Sequence, residues 1–166
     1  TLNSEIVPDH ARGLQDTLQD DPDVILIERT LSRSETLALI DACDAVISLH
    51  RSEGLGLLIA EAMVLGKPAI STDYSATTEL VSPETGYPVD YRLIPVRDGD
   101  YPFHDGQHWA DADVDHAAWQ MRQVFKGGTN VACRVAAARA HLHANYGQAA
   151  VSARQSARLR KIRGFS

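Results

Sequence analysis

Short aliphatic runs alternate with longer amphipathic segments along the first ninety residues of the chain. Three runs have the Ile- and Val-rich composition that is typical of strands buried on both faces: DVILIE (23–28), AVISLH (45–50) and AIST (69–72). A fourth, weaker run, TGYPVDY (85–91), is interrupted by Pro88, which favours an edge strand. The pattern therefore predicts four strands, one of them at an edge.

Helices are predicted between and after these strands. They cover residues 9–20, 32–43, 57–65, 77–81 and about 113–125, followed by an Ala-rich helical region to the C-terminus. Ser32 or Ser34 is the expected N-cap of the second helix, and Gly66 the C′ residue of the third. Residues 92–112, rich in Gly, Pro, Asp and His, are predicted to form a long loop. This alternation indicates an α/β fold with a Rossmann-like parallel sheet flanked by helices.

Composition and charge narrow the class of protein. The chain has 166 residues, enough for one domain with a real core, and a net charge of −6, which gives no reason to expect a nucleic-acid partner. No apolar stretch approaches the ~18 residues of a membrane span. The two cysteines, Cys43 and Cys133, form no framework, which suits a reducing cytoplasm. Because the first residue is Thr1, we expect a piece of a longer protein.

The C-terminal stretch RQSARLRKIRGFS carries five basic residues and no acid. A membrane-associated surface that meets anionic lipid is one interpretation. A solvated helix face, or contacts to another domain, is the other.

The segment HRSEGLGLLIAEAMVLGKPAIS (50–71) contains the candidate site. Its loop follows the predicted strand 45–50, at the strand end where doubly wound sheets bind ligands. Gly54 and Gly56 permit close backbone approach, and the free N–H groups of the following helix favour an anion such as phosphate. A glycine loop alone is weak evidence, because many such turns carry glycine for packing.

Two carboxylates in this segment are further candidates for binding a ligand. Glu61 is the only charge between Leu57 and Leu65, so it lies on a helix that we expect to be buried. A buried carboxylate needs donors, and the two hydroxyls of a ribose would supply them. A solvent-facing stripe or an Arg partner would also explain Glu61. Glu53 would suit neutral sugar hydroxyls, or act only as an acid at a helix entry.

These residues resemble a known motif. Glu53 and Glu61, in EGLGLLIAE, resemble the E-x7-E motif of retaining glycosyltransferases with the GT-B fold, of the group called family 4 or group 1. The context is similar as well, in ACDAVISLHRSEGLGL, AEAMVLGKPAISTDYSA and TGYPV. The similarity runs from about Asp23 to Tyr91 and more loosely beyond.

The resemblance implies the C-terminal, donor-binding domain of a GT-B enzyme, incomplete at its N-terminal end and without the acceptor domain. By this resemblance Glu53 is the catalytic residue beside the donor sugar, and Glu61 binds the ribose hydroxyls. The implied donor-binding residues also include Gly54, Leu55, Gly56, Leu57, His50 and, beside the base, Leu31. The implied reaction transfers a hexosyl group with retention.

The substrate implied is a UDP- or GDP-linked nucleotide-sugar, with no other cofactor and no metal. The acceptor is an unknown glycan, lipid-linked or small molecule. The pyrophosphate-clamping basic pair of the family is missing, and Thr77 and Thr78 stand where the family commonly has Asn. The chain alone is therefore expected to be inactive.

Other interpretations stay open at this point. One is a non-catalytic nucleotide-sugar binding or regulatory module, and another is a different GT-B enzyme such as an epimerase or a phosphorylase. A phosphorylase would need a lysine for pyridoxal phosphate, and Lys67, at a helix end, is a poor candidate. A metal site at His104, Asp105 and His108 has no other support. The segment YPFHDGQHW (101–109) would suit a lid or an interdomain contact.

Overall fold

A computed structural model describes residues 8–18 and 21–164, with side chains from residue 12 onward. The chain divides into two compact units, Thr1–Leu39 and Ile40–Ser166. Helix α1 (Pro8–Leu18) confirms the first predicted helix as far as residue 18, and residues 19–20 lie outside the described residues.

Helix α2 (Arg33–Ala42) begins with a capping box. The Ser32 hydroxyl accepts a hydrogen bond from the Glu35 N–H (3.3 Å), and the Glu35 carboxylate accepts one from the Ser32 N–H (2.8 Å). Ser32, and not Ser34, is therefore the N-cap.

The strand predicted at residues 23–28 is wrong. The segment leaves a turn in which the Val24 N–H bonds to the Asp21 carbonyl, and it then runs without regular structure. Ile25 is 86% exposed, although Leu26 is half-buried. A strand exists only through hydrogen bonds to a neighbour, and the described part of the first unit contains no other strand.

The second unit is built on a three-stranded parallel sheet. Its strands are β1 (Val46–Ser48), β2 (Ala69–Thr72) and β3 (Tyr87–Val89), in the order β1-β2-β3. Ile47 pairs with Ile70, and Ser71 with Pro88. Pro88 thus lies on an edge strand, as predicted, and the parallel α/β class is confirmed.

Helices cover both faces of the sheet. All four residues of β2 are buried, and its successive side chains point to opposite faces. Ala69 joins a core cluster with residues of α3 (Leu57–Val64) and α5 (Thr129–Tyr146), while Ile70 joins one with α4 (Val114–Lys126). This two-sided burial explains why β2 contains only apolar and small hydroxyl residues and no charge.

Helix α3 is buried on one face only, which corrects the expectation of a buried helix. Ile59 and Met63 lie in the core, but Leu57 is 63% and Val64 57% exposed. The sheet and α5 cover one side of the helix and leave the other uncovered within the described residues. The helix ends as predicted, with Gly66 in the left-handed region at φ 79°.

The predicted loop at 92–112 is wrong at both ends. Strands β4 (Tyr91–Pro95) and β5 (His108–Ala112) form an antiparallel hairpin in which Leu93 pairs with Ala110. The connecting segment 96–107 is closed by a hydrogen bond from the Val96 N–H to the Gln107 carbonyl (3.0 Å). The turn-forming residues of this connection led to the prediction of a loop that also covered the two flanking strands.

The chain continues into three helices. Asp113 caps α4 by accepting a hydrogen bond from the His116 N–H (2.9 Å). Helix α5 leads through Gly147 into α6 (Gln148–Ile162), which has no buried residue. Among the helices of the described residues, none combines the length and the apolar character that a membrane crossing requires.

Candidate functional site

The loop between β1 and α3 contains most of the predicted site residues. It begins at the carboxyl end of β1 and brings His50, Glu53 and the sequence Gly54–Leu57 together. The connection after β2 packs against it, because the Ala76 N–H bonds to the Glu53 carbonyl (3.4 Å). The site therefore forms at the ends of two adjacent parallel strands, where open α/β sheets bind ligands.

His50 is held by two hydroxyl groups. Its Nε2 lies 2.8 Å from the Thr77 Oγ1 and 3.3 Å from the Ser71 Oγ. The Thr77 hydroxyl has carbonyl acceptors at Thr72 and Tyr74, which favours Nε2–H of His50 as donor to Thr77. Burial lowers the pKa of His50, although the nearby Glu53 charge opposes this effect. His50 is therefore a neutral residue that joins the two strand ends.

The backbone of Glu53 is clamped by Ser75. The Ser75 hydroxyl donates to the Glu53 carbonyl at 2.7 Å and lies 3.5 Å from the Glu53 nitrogen. Ser75 itself is in the left-handed region at φ 65°, which is uncommon for a residue with a side chain. The clamp fixes where the Glu53 side chain leaves the loop.

The Glu53 carboxylate turns back onto the amides of its own loop. Its Oε1 accepts hydrogen bonds from the Gly54 N–H (3.0 Å) and the Leu55 N–H (3.4 Å). These bonds, led by that of Leu55 and joined by those of Gly56 and Gly54, lower the pKa of Glu53. Glu53 is therefore ionised at neutral pH, and the loop presents N–H groups that bind an oxyanion.

Gly56 closes the loop and begins α3. Its φ is 81°, and a Cβ built on it would lie 2.7 Å from the Thr77 Cγ2. The backbone thus needs glycine here both for its conformation and for its contact. No side chain caps the helix start at Gly56, and Leu55 and Leu57 on either side of it are exposed.

Two predicted residues are not part of this loop. Glu61 is half-buried on α3, eight positions after Glu53 in the sequence. Leu31 belongs to the first unit, and its predicted place beside a base stays a prediction.

Sequence reasoning missed Ser75 and Thr77. Both hold the loop in place, and both follow β2 in the stretch TDYSATTEL. The sequence singled out this stretch only because Thr77 and Thr78 stand where the family commonly has Asn. It did not predict that Thr77 would bond to His50.

A cavity of about 550 Å³ lies between the Glu53 loop and the β4–β5 hairpin. The hairpin is attached to that loop through Arg51. The Ala110 N–H donates to the Arg51 carbonyl (2.9 Å), and the Arg51 guanidinium lies 4.9 Å from the centre of the Trp109 ring. The cavity is lined by Ser52, Glu53, Gly54, Val96, Tyr101, Pro102, Phe103, His104, Gln107, His108 and Trp109.

The histidines of this hairpin do not form a metal site. His104 Nδ1 lies 3.8 Å from a carboxylate oxygen of Asp98. In the part of the chain that the structure describes, no group of three or more His, Cys, Asp or Glu residues is placed to hold a metal ion.

Comparison with known sequences relates this site to glycosyl transfer. Residues 21–92, which include the Glu53 loop and α3, match the sequence model of the family described as Glycosyl transferases group 1. The chain is also 29% identical over 97 residues to a protein named "Putative glycosyltransferase 48" of Sulfolobus islandicus filamentous virus (isolate Iceland/Hveragerdi). That alignment covers 58% of this chain and 30% of the viral protein.

Solved structures agree in fold. A glycosyltransferase from Rickettsia africae ESF-5 superposes with a TM-score of 0.73 at 15% identity, over 99% of this chain and 39% of its own. The C-terminal domain of a group 1 glycosyl transferase (LpcC) from Francisella tularensis gives 0.62 at 18% identity, over 84% of this chain and 64% of its own. The chain resembles the group 1 glycosyltransferases, in their GT-B fold.

A third GT-B structure contains ligands. It is a TarM variant from S. aureus in complex with fondaparinux, alpha-GlcNAc-glycerol and UDP, with a TM-score of 0.57 at 17% identity, over 88% of this chain and 26% of its own. The chain thus spans about a third of the length of the viral and rickettsial relatives.

Proposed function

We propose that this chain binds the nucleotide-sugar donor of a glycosyltransferase that transfers a hexosyl group with retention. One observation carries the proposal. The EGLGLLIAE segment lies inside the region matched by the group 1 family and folds as a loop of anion-binding amides leading into α3 at the end of β1.

The chemistry of the loop suggests a role for each part. The backbone N–H groups of Leu55, Gly56 and Leu57 would bind the diphosphate, because a helix start and a glycine turn both favour negative charge. Such an anion competes with the Glu53 carboxylate, which now accepts from the Gly54 and Leu55 amides. Displaced from them, Glu53 would accept hydrogen bonds from the hydroxyls of the donor sugar, at the reacting face.

The remaining donor contacts follow the family resemblance. Glu61 would bind the ribose hydroxyls, Leu31 would border the base, and His50 would touch the sugar or a phosphate. Fixed amide donors would stabilise the departing diphosphate without a metal ion. Because the TarM complex contains UDP, a UDP-linked sugar is the first donor to test, and a GDP-linked sugar is the second.

We also propose that an acceptor-binding domain in the same polypeptide completes the enzyme. The region shared with this chain is 30% of the viral protein and 39% of the rickettsial one. The acceptor class is taken up below.

Calorimetric titration of the chain with UDP, GDP and their hexose conjugates tests the donor site. We expect one nucleotide to bind, and Glu61→Ala to weaken it about tenfold, or ~1.4 kcal/mol, through loss of the ribose hydrogen bonds. Glu53→Ala should weaken the sugar conjugate but not the bare diphosphate, because it removes a carboxylate that competes for the same amides.

Glu84→Ala is the matched control, since Glu84 is an exposed acid bonded to Ser82, outside the site. Nucleotide binding that Glu61→Ala and Glu84→Ala leave equally strong would contradict the donor assignment. Absence of binding by every nucleotide would contradict the function itself.

A further inference from the structure

The cavity beside Glu53 has a wall that the sheet does not supply. This wall is formed by the β4–β5 hairpin with its connecting segment 96–107, and the hairpin packs against the loop through the bond between Ala110 and Arg51. Ser52, Glu53 and Gly54 form the opposite side. A volume of about 550 Å³ is within the range of small-molecule sites.

Two exposed aromatic rings stand at the mouth of this cavity. Tyr101 is 67% and Phe103 95% exposed, and both line it. Phe103 also has a φ of 57°, in the left-handed region that a bulky side chain rarely adopts. Neither burial nor backbone preference explains a phenyl ring in this position. Strain of this kind is concentrated at ligand-binding segments.

The polar groups of the wall select the kind of ligand. Gln107 and His108 on this wall offer amide and imidazole groups, and Ser52 on the opposite side offers a hydroxyl. The Trp109 Nε1 is buried and has no hydrogen-bond partner among the described residues, as in sites where a bound polar group supplies one. The ionised Glu53 on the facing side repels phosphate. A neutral polyol with an apolar ring face fits this combination.

We propose that this cavity is the acceptor subsite of the transferase. It binds a sugar ring of a glycan acceptor between Glu53 and the rings of Tyr101 and Phe103. Tyr101 and Phe103 pack on the C–H face of the ring, and the polar groups of the wall bind its hydroxyls. The assignment to the acceptor rests on the proposed function. Glu53 lines the cavity and is also assigned there to the donor sugar, so the cavity adjoins the proposed donor site. Leu55, Gly56 and Glu61, the other residues assigned to the donor, are not among the described lining residues.

Saturation-transfer NMR of the chain with the methyl glycosides of glucose, galactose, mannose and N-acetylglucosamine tests the subsite. We expect transfer to at least one glycoside, and quenching of Trp109 fluorescence by it in a Trp119→Phe background, since Trp119 lies outside the cavity on α4. The double variant Tyr101→Ala/Phe103→Ala should reduce the transfer at least fivefold.

Phe125→Ala is the matched control, because Phe125 is 93% exposed on α4 and does not line this cavity. Absence of transfer to all four glycosides overturns the subsite, and so does a Phe125→Ala loss equal to that of the double variant.

UDP titration separates this proposal from the donor site. Nucleotide binding without glycoside binding overturns the subsite alone. Glycoside binding without any nucleotide supports a carbohydrate site and overturns its assignment to the acceptor. If the glycoside that binds is displaced by the UDP-hexose but not by UDP, the cavity holds the donor sugar, and the acceptor assignment is again overturned.

Discussion

Gly56 and Thr77 touch where the loop after β1 meets the connection after β2. The glycine leaves space for the threonine methyl group, and the threonine hydroxyl in turn reaches His50. One small residue thus permits a contact that holds two strand ends together. Stability and site geometry depend on the same few atoms here.

We expect Gly56→Ala to destabilise the second unit by about 1–3 kcal/mol, because alanine is strained at φ 81° and its Cβ would meet the Thr77 Cγ2 at 2.7 Å. Urea denaturation followed by circular dichroism measures the loss. Adding Thr77→Ser, which removes the methyl group and keeps the hydroxyl, should restore part of it.

Gly54→Ala is the control for this change. A Cβ at Gly54 meets nothing within 4 Å, and its φ lies outside the left-handed region. We expect a change within about 0.5 kcal/mol. Equal losses for the two alanine variants would show that the contact between Gly56 and Thr77 contributes nothing to stability.

The sequence predicts the residues of the site unequally. Glu53 and Glu61 stand out because a carboxylate is conspicuous in an apolar or glycine-rich context. Ser75 and Thr77 do not, since their partners lie 22 and 27 residues away and a hydroxyl fits many surface positions equally well. Only tertiary structure brings such pairs together.

At the scale of elements, the start of α2 holds a carboxylate whose pKa is strongly lowered. The bonds from the Ser32 N–H and hydroxyl, together with the Arg29 guanidinium at 2.8 Å, lower the pKa of Glu35 to about 2. The folded pKa is below the unfolded value of about 4.3. Glu35 therefore stabilises the helix start above pH ~4.3, and this contribution is lost as the pH falls toward 2.

We expect Ser32→Ala to lower the free energy of unfolding by about 1 kcal/mol at pH 7, because the helix loses its N-cap. It should also raise the pKa of Glu35, which carboxyl ¹³C NMR measures directly. Ser34→Ala is the control, since its hydroxyl contacts Ser32 but forms no capping box. The variant keeps the bond from the Ser32 N–H and the Arg29 contact, so an unchanged Glu35 pKa would show only that the Ser32 hydroxyl does not lower it.

Elements were predictable where the chain alone specifies them. β1, β2 and α3 have a composition that suits burial between two layers, and their turns contain Gly66 and Pro68. The run at 23–28 has the same composition but no strand beside it in the described residues. β4 and β5 flank a loop-like sequence without a regular alternation of polar and apolar residues, and only their mutual pairing makes them strands.

At the scale of the whole molecule, residues 50–61, which form the loop after β1 and the first part of α3, lie within one unit. Leu31 belongs to the other. The family match, residues 21–92, includes residues from both. The proposed donor contacts therefore name residues of both units, and binding of one nucleotide can test the contact proposed for each.

We expect a saturating nucleotide, at about 100 times its Kd, to raise the stability of the chain by about 2.7 kcal/mol. Hydrogen exchange with mass spectrometry should locate the added protection at residues 50–61, because the ligand occupies the loop amides. Protection of the peptide that contains Leu31 would support its contact with the base. Protection confined to α6 would contradict the proposed site.

The attachment of the hairpin to Arg51 has a consequence for changing this protein. The bond at Ala110 and the pairing of β4 with β5 hold both ends of the segment 97–106, and no residue of the three-stranded sheet lies within it. Its length and side chains can therefore be changed without replacing a residue of β1, α3 or the Glu53 loop. Under the proposed function, exchange of this segment alone would alter the range of acceptors that bind.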